Sequence, residues 1–169
     1  MKSIEKDQLI VKEIDEVRNS LTTDRLDMSF GEIMSMYGRD EIIIDPAFQR
    51  LFRWDQDNQT KFIESLLLGI PIPPIFVAEI SETGQWELID GLQRVCAVIS
   101  FFGELRNMPE KNNWALSKGG LIEALEGYTC ADLPLRYQLI IRRSICRIEI
   151  IRWNGKTDMR HELFSRFSK

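Results

Sequence analysis

The chain of 169 residues contains one histidine, His161, and no run of about 18 consecutive apolar residues. A single histidine rules out a multi-histidine zinc or iron centre and argues against an HNH-type nuclease centre within these residues. The absence of a long apolar run predicts no membrane-spanning helix, and the first residues are charged where a secretory signal would be apolar. The sequence therefore predicts a protein without membrane contact.

Cysteine is scarce and the charge balance is acidic. Cys96, Cys130 and Cys146 show no paired spacing, and each lies in or beside an apolar stretch, which predicts reduced, buried thiols in a cytoplasmic protein. The formal net charge of −4 excludes strong non-specific binding to DNA, although a local basic patch could still contact it.

Apolar spacing in the first half of the chain predicts helices alternating with strands. A helix is expected to begin at Asp55 and to end at Gly69. The prolines at positions 71, 73 and 74 exclude a helix and predict an extended entry into a strand. Gly84 marks the turn of a hairpin, and a second helix is expected to follow Asp90 directly.

The rest of the chain continues the mixed pattern. Residues 42–44 and 145–153 read as strands, whereas 114–143 read as helical with breaks and the residues from Asp158 onward as helical. These features predict an α+β domain over residues 41–169.

Residues 1–40 are predicted to form a helical lead-in to this domain. Its second part is a short helix over Phe30 to Tyr37, capped by Ser29. Its first part is expected to pack on the domain surface through one helical face. The apolar residues that define this face are Ile4, Leu9, Ile10, Ile14, Val17 and Leu21.

A strand runs directly into a helix at Asp90. Asp90 is expected to cap the helix, and Gln93, three residues later, would complete a capping box. The capping box does not explain Arg94, because a cation in the first turn is repelled by the positive end of the helix dipole. A bound phosphate would explain it, since free backbone N–H groups and a guanidinium bind phosphate together and Gly91 would allow close approach.

A second basic cluster lies upstream, where Arg50 and Arg53 alternate with aromatic residues. One interpretation is a loop whose rings pack on the core while the arginines stay solvated. The other is a surface that stacks a base and binds phosphate. Under the second interpretation we expect Arg50 and Arg94 to converge on one phosphate. The aromatic residues are Phe48, Phe52 and Trp54.

Three ordered motifs carry a resemblance to a known family. They are Asp45-Pro46-x-Phe48-Gln49-Arg50-x-x-x-Trp54, the segment from Phe62 to Ile75, and Ile89-Asp90-Gly91-Leu92-Gln93-Arg94. Together they resemble the N-terminal domain of the GmrS–GmrD type IV restriction family. That domain is similar in fold to the ParB and sulfiredoxin group, so the resemblance implies a small mixed sheet flanked by helices, with a helical insertion.

The resemblance implies binding and hydrolysis of a nucleoside triphosphate, often GTP, coupled to recognition or cleavage of modified phage DNA. In this family cleavage belongs to a separate C-terminal HNH-like domain, so a downstream effector or nuclease region is implied. Carried over by position, Gln49, Arg50, Gly91 and Arg94 would bind the nucleotide and its phosphates.

The catalytic roles implied by the resemblance fall on Asp90 and Gln93. Asp90 would hold Mg²⁺ or orient water, and Gln93 would position water or a phosphate oxygen. Glu64 and Arg53 would support the site. Leu92 stands where the family more often has a first glutamine, so a polar role at that position is lost.

The last helix is predicted to end in an exposed apolar face. Leu163, Phe164 and Phe167 share this face, and no further element follows before Lys169. We therefore expect the domain to be truncated at its C-terminal end and this face to be covered by another chain.

Three functions remain after these considerations. The first is a nucleotide-binding, possibly hydrolysing regulatory domain of a restriction protein. The second is a DNA-binding module that senses modified DNA without nucleotide chemistry, and the third is a ParB-like domain that nicks DNA. Homo-oligomer formation is compatible with each of them.

Overall fold

The computed structural model describes residues 3–118, 120–155 and 158–167. The described residues between Phe101 and Leu135 include the 3-10 turns Pro109–Lys111, Glu123–Leu125 and Cys130–Asp132. The helices and strands are, in chain order, α1 (Ile4–Ser20), β1 (Leu21–Ser29), α2 (Phe30–Gly38), β2 (Ile42–Ile43), α3 (Pro46–Gln49), α4 (Gln56–Leu68), β3 (Ile75–Glu79), β4 (Trp86–Asp90), α5 (Leu92–Phe101), α6 (Leu135–Arg143), β5 (Ile145–Trp153) and α7 (Arg160–Phe167).

The five strands form one open sheet in the order β1-β5-β3-β4-β2. β1 pairs antiparallel with β5, and β3 pairs antiparallel with β4. The two remaining pairs, β5 with β3 and β4 with β2, are parallel. The mixed sheet and its helices confirm the predicted α+β class, and the likeness to the ParB and sulfiredoxin group stays a prediction.

The two faces of the sheet are covered by different helices. Successive strand residues point to opposite faces, so Leu88 joins the main core while Ile89 packs on the other side. The main core contains side chains of α2, α4, α5 and α6, and the second face is covered in part by Leu163 of α7. β4, which leads into α5, therefore lies between two hydrophobic layers.

Several local predictions are confirmed. The carboxylate of Asp55 accepts from the Asn58 N–H at 2.8 Å and begins α4, and Gly69 ends that helix with φ of +72°. Ser29 caps α2. Gly84, at φ +79°, lies in the hairpin between β3 and β4.

The three cysteines are buried and form no disulfide, as expected. Burial raises the pKa of the Cys96 thiol to about 12 and that of Cys146 to about 11, so both stay protonated near neutral pH. None of the helices in the described part of the chain is long and apolar enough to cross a membrane.

The two helices predicted in the lead-in over residues 1–40 are present as α1 and α2, but the description of this segment as helical is wrong between them. Leu21–Ser29 forms β1, which pairs with β5 along its full length. The expected packing of the first helix is also wrong, because α1 buries none of its residues and Ile14 and Val17 are each at least half exposed. β1 was not predicted because most of its residues are exposed on both faces, and its sequence therefore lacks the apolar alternation of a half-buried strand.

Two predictions for the second half of the chain also fail. Residues 114–143 are not a broken helix, since α6 covers only the last nine of them and the others that the structure describes form loops and short turns. The apolar face of α7 is covered by its own chain: Leu163 is buried, Phe164 stacks on Phe48 and Phe167 stacks on Phe76. Lys169 lies outside the described residues.

Candidate functional site

The junction between β4 and α5 differs from the capped helix that the sequence predicts. Asp90 is still part of β4, opposite Phe76 of β3, and Gly91 is the N-cap residue. Within the described residues no side chain caps the helix. The capping box is wrong because Gly91, at φ +98° and ψ 17°, turns the chain one residue later than expected. The first-turn N–H groups of α5 therefore have no capping oxygen.

Gly91 is required by the backbone and by packing. A Cβ atom at this position would lie 2.9 Å from Cγ1 of Ile75, in addition to the strain of a positive φ. The missing side chain thus makes room for Ile75 rather than for a ligand.

Arg94 is held by backbone carbonyls. Its guanidinium donates to the carbonyl oxygens of Pro73 and Pro74, and Nη2 lies 3.9 Å from Oδ2 of Asp90. Burial lowers the pKa of Arg94, and the Asp90 carboxylate opposes this shift. The capping box predicted from the sequence left Arg94 unexplained, and the structure supplies partners for it in the carbonyls of the segment before β3. Two of its five N–H donors are accounted for by these carbonyls.

Gln93 ties α5 to the loop that follows α3. Its Oε1 accepts from the N–H groups of Arg53 and Trp54, both at 3.0 Å, and its Nε2 donates to the Leu51 carbonyl at 2.6 Å. The two motifs are therefore spatial neighbours, as predicted. Both ends of the Gln93 amide are engaged, so this side chain positions the loop.

A cleft of about 430 Å³ opens where these segments meet. Its floor is the first turn of α5, and its walls come from the loop after α3 and from α7. The lining residues are Leu51, Trp54, Ile89, Asp90, Gly91, Leu92, Gln93, Arg94, Phe164 and Phe167. Its volume lies in the usual range of small-ligand pockets, about 300–1,000 Å³.

The residues of the upstream motif occupy different environments. Gln49 is 1% exposed, and its Nε2 donates to the Arg106 carbonyl at 2.6 Å. Arg50 is exposed at the end of α3, one position before Leu51 of the cleft wall. Arg53 is exposed next to Trp54. Convergence of Arg50 and Arg94 on one phosphate stays a prediction.

Glu64 supports a loop on another side of α4. Its carboxylate is buried and accepts from the N–H groups of Leu121 and Ile122, each at 2.8 Å. This arrangement satisfies two backbone donors of the segment that was expected to be helical. Glu64 does not line the cleft described above.

A smaller pocket of about 290 Å³ lies beside α7 and contains a buried carboxylate. Glu87 is 9% exposed, and burial raises its pKa, whereas Arg160, with Nη1 at 3.7 Å, opposes the shift. Asp45, Asp158 and His161 line the same pocket. Phe48 lines this pocket and stacks on Phe164 of the larger cleft, and α7 contributes residues to both.

No group of three or more histidine, cysteine, aspartate or glutamate side chains in residues 3–118, 120–155 and 158–167 is placed to hold a metal ion. A nucleotide-bound Mg²⁺ needs only one or two carboxylates, with phosphates and water completing its shell. Asp90 meets this requirement chemically, since its side chain is 38% exposed and it lines the cleft.

Sequence reasoning missed two features of the cleft. The aromatic wall from Phe164 and Phe167 was read as an uncovered face, although its apolar spacing was the available signal. The hydrogen bonds from Arg94 to the carbonyls of Pro73 and Pro74 could not be predicted from the sequence, because every residue has a backbone carbonyl.

Comparison with known proteins gives one informative match. The family model described as "GmrSD restriction endonuclease, N-terminal domain" matches residues 30–166, which include β4, α5 and all residues that line the cleft except Phe167. No curated protein and no solved structure matches the chain. The chain belongs to the GmrSD restriction endonuclease N-terminal domain family, and it is accordingly a domain of a restriction-system protein.

Proposed function

We propose that the cleft at the N-terminus of α5 binds a nucleoside triphosphate and that the domain acts as a nucleotide-binding regulator of restriction. The observation that carries this proposal is the uncapped first turn of α5, whose residues form the floor of the cleft. Free N–H groups at a helix N-terminus bind phosphate through hydrogen bonds and the helix dipole.

The neighbouring guanidinium adds positive charge at the same place. Arg94 contacts the carbonyls of Pro73 and Pro74, yet three of its N–H donors are not used by them. Its side chain is 13% exposed, which reduces solvent screening of its charge. Arg50 and Arg53 are proposed to extend the phosphate contacts from the loop, alongside Leu51 and Trp54.

The aromatic walls fit the apolar part of a nucleotide. Trp54 lies on one wall of the cleft, and Phe164 and Phe167 lie on the other. Flat aromatic rings stack on any base, so this arrangement supports nucleotide binding without specifying the base.

Asp90 is proposed as the Mg²⁺ ligand and as the carboxylate that orients water for hydrolysis. The ion would neutralise charge on the bound phosphates. Gln93 acts indirectly, because its amide holds the loop that carries Trp54. In this proposal Asp90→Asn abolishes any Mg²⁺ dependence of binding and retains the Mg²⁺-independent part.

The charges elsewhere on the sheet do not favour a DNA-binding surface. Arg147 lies 3.8 Å from Asp27, Arg152 lies 2.8 Å from Glu79, and Arg25 lies 4.0 Å from Glu149. Paired arginines offer less charge to a phosphate backbone. DNA binding and a role alongside a downstream nuclease therefore remain outcomes to be tested on the same protein.

The test uses a charge placed at the first turn of α5. Leu92→Glu adds a carboxylate where a helix N-terminus stabilises it, but the same charge repels phosphate. Leu92→Gln is the matched neutral control with the same shape. Thermal shifts with ATP, GTP, CTP and UTP, with and without Mg²⁺, should appear for the wild type and Leu92→Gln and vanish for Leu92→Glu.

An equal shift for both variants would remove the cleft from consideration as the nucleotide site. Failure of all four nucleotides on the wild type, together with binding of a DNA duplex, would instead support the DNA-sensing module.

A further inference from the structure

One of the two longest strands of the sheet lies at its edge. β1 has nine residues and lies at the end of the strand order, whereas the opposite edge strand, β2, has two. A long edge strand presents a row of N–H and C=O groups to any further strand. Within the described residues, no strand pairs with the outer side of β1.

The register with β5 fixes which residues face this outer side. The Phe30 N–H donates to the Ser144 carbonyl and the Asn154 N–H donates to the Ser20 carbonyl, so the even-numbered residues of β1 are the ones hydrogen-bonded to β5. The odd-numbered residues consequently direct their N–H and C=O groups outward. These outward residues are Leu21, Thr23, Arg25, Asp27 and Ser29.

We propose that β1 is a homodimer interface, in which two copies of the chain pair their β1 strands antiparallel about a two-fold axis at Leu26. In this register Arg25 of each copy lies opposite Asp27 of the other, and Leu26 lies opposite Leu26. Opposite charges then face each other twice, and up to about eight backbone hydrogen bonds form.

The charge pattern singles out this register. Antiparallel pairing requires outward residues to meet outward residues, so the axis must pass through one residue. An axis at Asp24, Arg25 or Asp27 places two identical charges directly opposite each other. An axis at Thr23 leaves only residues 21–25 overlapping and pairs no opposite charges. The axis at Leu26 aligns residues 23–29 without a like-charge pair.

The exposed side chains of β1 are compatible with such a contact. Leu26 is 37% exposed although its neighbour across the sheet, Ile148, is buried. The side chains of Arg25 and Asp27 are 67% and 64% exposed. They form ion pairs with Glu149 and Arg147 of β5 at 4.0 and 3.8 Å. Exposed pairs of this kind are weak, so they do not prevent a partner copy from competing.

A cysteine scan tests the register directly. Two Leu26→Cys chains would meet at the axis in a non-hydrogen-bonded pair, where the Cα atoms are about 4.5 Å apart and a disulfide can form. Asp24→Cys and Arg25→Cys are the matched controls, because their opposite residues are Met28 and Asp27. The native cysteines are buried and do not compete. Mild oxidation should therefore yield a covalent dimer for Leu26→Cys alone.

A charge exchange gives an independent readout. Light scattering should give the wild type twice the chain mass. Arg25→Asp and Asp27→Arg should each reduce the mass to that of one chain, and the double exchange should restore the dimer. The double variant makes the contacts with Glu149 and Arg147 repulsive, so its recovery cannot come from pairs within the chain. A wild type that is monomeric at every concentration, or crosslinking of Asp24→Cys as fast as Leu26→Cys, would overturn the proposal.

Discussion

Polar side chains contact distant backbone groups at the β4–α5 junction, whereas those of the α1–β1 segment face solvent. At the junction, Arg94 and Gln93 are partly buried and contact backbone groups 20 to 42 positions away. In α1 and β1 the polar side chains are exposed, and α1 buries no residue. The difference shows that Gln93 and Arg94 hold the segments of the cleft together. The uncapped N–H groups of α5 and the remaining donors of Arg94 are the proposed anion contacts.

Replacement of Arg94 is expected to cause the largest loss of stability at the β4–α5 junction. Arg94→Ala leaves the carbonyls of Pro73 and Pro74 without this donor and should lower the free energy of unfolding by about 2–4 kcal/mol. Urea unfolding measures this loss. Arg94→Lys, which keeps the charge but lacks the planar donor pair, should recover only part of it. Full stability of Arg94→Ala would show that the carbonyl contacts do not matter.

Gln93→Ala should have a smaller effect on the same junction. The N–H groups of Arg53 and Trp54 lose their acceptor, at a cost of about 1–3 kcal/mol because Trp54 is only half-buried. Gln93→Glu keeps an acceptor oxygen but loses the donor to Leu51, so its stability should lie between those of the wild type and Gln93→Ala. Equal stability of all three proteins in urea unfolding would contradict the positioning role.

The pH dependence of stability tests the buried carboxylate beside α7. Because burial raises the pKa of Glu87, the folded state holds this proton to higher pH than the unfolded state does. Stability from this group is therefore greatest below its ordinary pKa of 4.5 and falls as pH rises through its folded pKa.

Between pH 4.5 and 7, the free energy of unfolding of Glu87→Gln should therefore rise relative to that of the wild type, as measured by urea titrations. The effect should be smaller than those at Arg94 and Gln93, since Arg160 offsets part of the burial cost. The exposed Glu126→Gln serves as the control and should run parallel to the wild type. If the wild type instead becomes more stable than Glu87→Gln as the pH rises over this range, the ion pair with Arg160 outweighs the cost of burial.

The smallest effect is expected in α1. Ile14→Ser should change the free energy of unfolding by less than about 0.5 kcal/mol, because Ile14 is 50% exposed in a helix without buried residues. Ile63→Ser in α4, where the side chain is fully buried, is the contrasting control and should be strongly destabilised. A large loss for Ile14→Ser would mean that α1 is packed in solution.

Local features of the fold were predictable, whereas long-range ones were not. Asp55, Gly69 and Gly84 act within a few residues of themselves, and their caps and turn were read correctly. β1 was missed because its stability comes from pairing with β5, more than 100 positions away. The loop near Leu121 was read as helical because its organising group, Glu64, lies 57 positions away.

The candidate site shows the same limit. The expected proximity of the loop after α3 and the start of α5 is confirmed by the contacts of Gln93, whereas convergence of Arg50 and Arg94 on a phosphate stays a prediction. The cap at Asp90 was wrong by one residue, since the backbone angle of Gly91 decides where α5 begins. The family is confirmed by the match over residues 30–166, and nucleotide binding stays a proposal.

The central claim is that backbone amides of α5 receive the phosphates, and amide-resolved NMR tests it most directly. Titration of the ¹⁵N-labelled protein with a nucleoside triphosphate should move the N–H signals of Leu92, Gln93 and Arg94 downfield, because hydrogen bonds to phosphate deshield amide protons. The same signals should stay in place in Leu92→Glu. If the nucleotide shifts other residues and leaves these three amides unchanged, or shifts none, the phosphate site at α5 is contradicted.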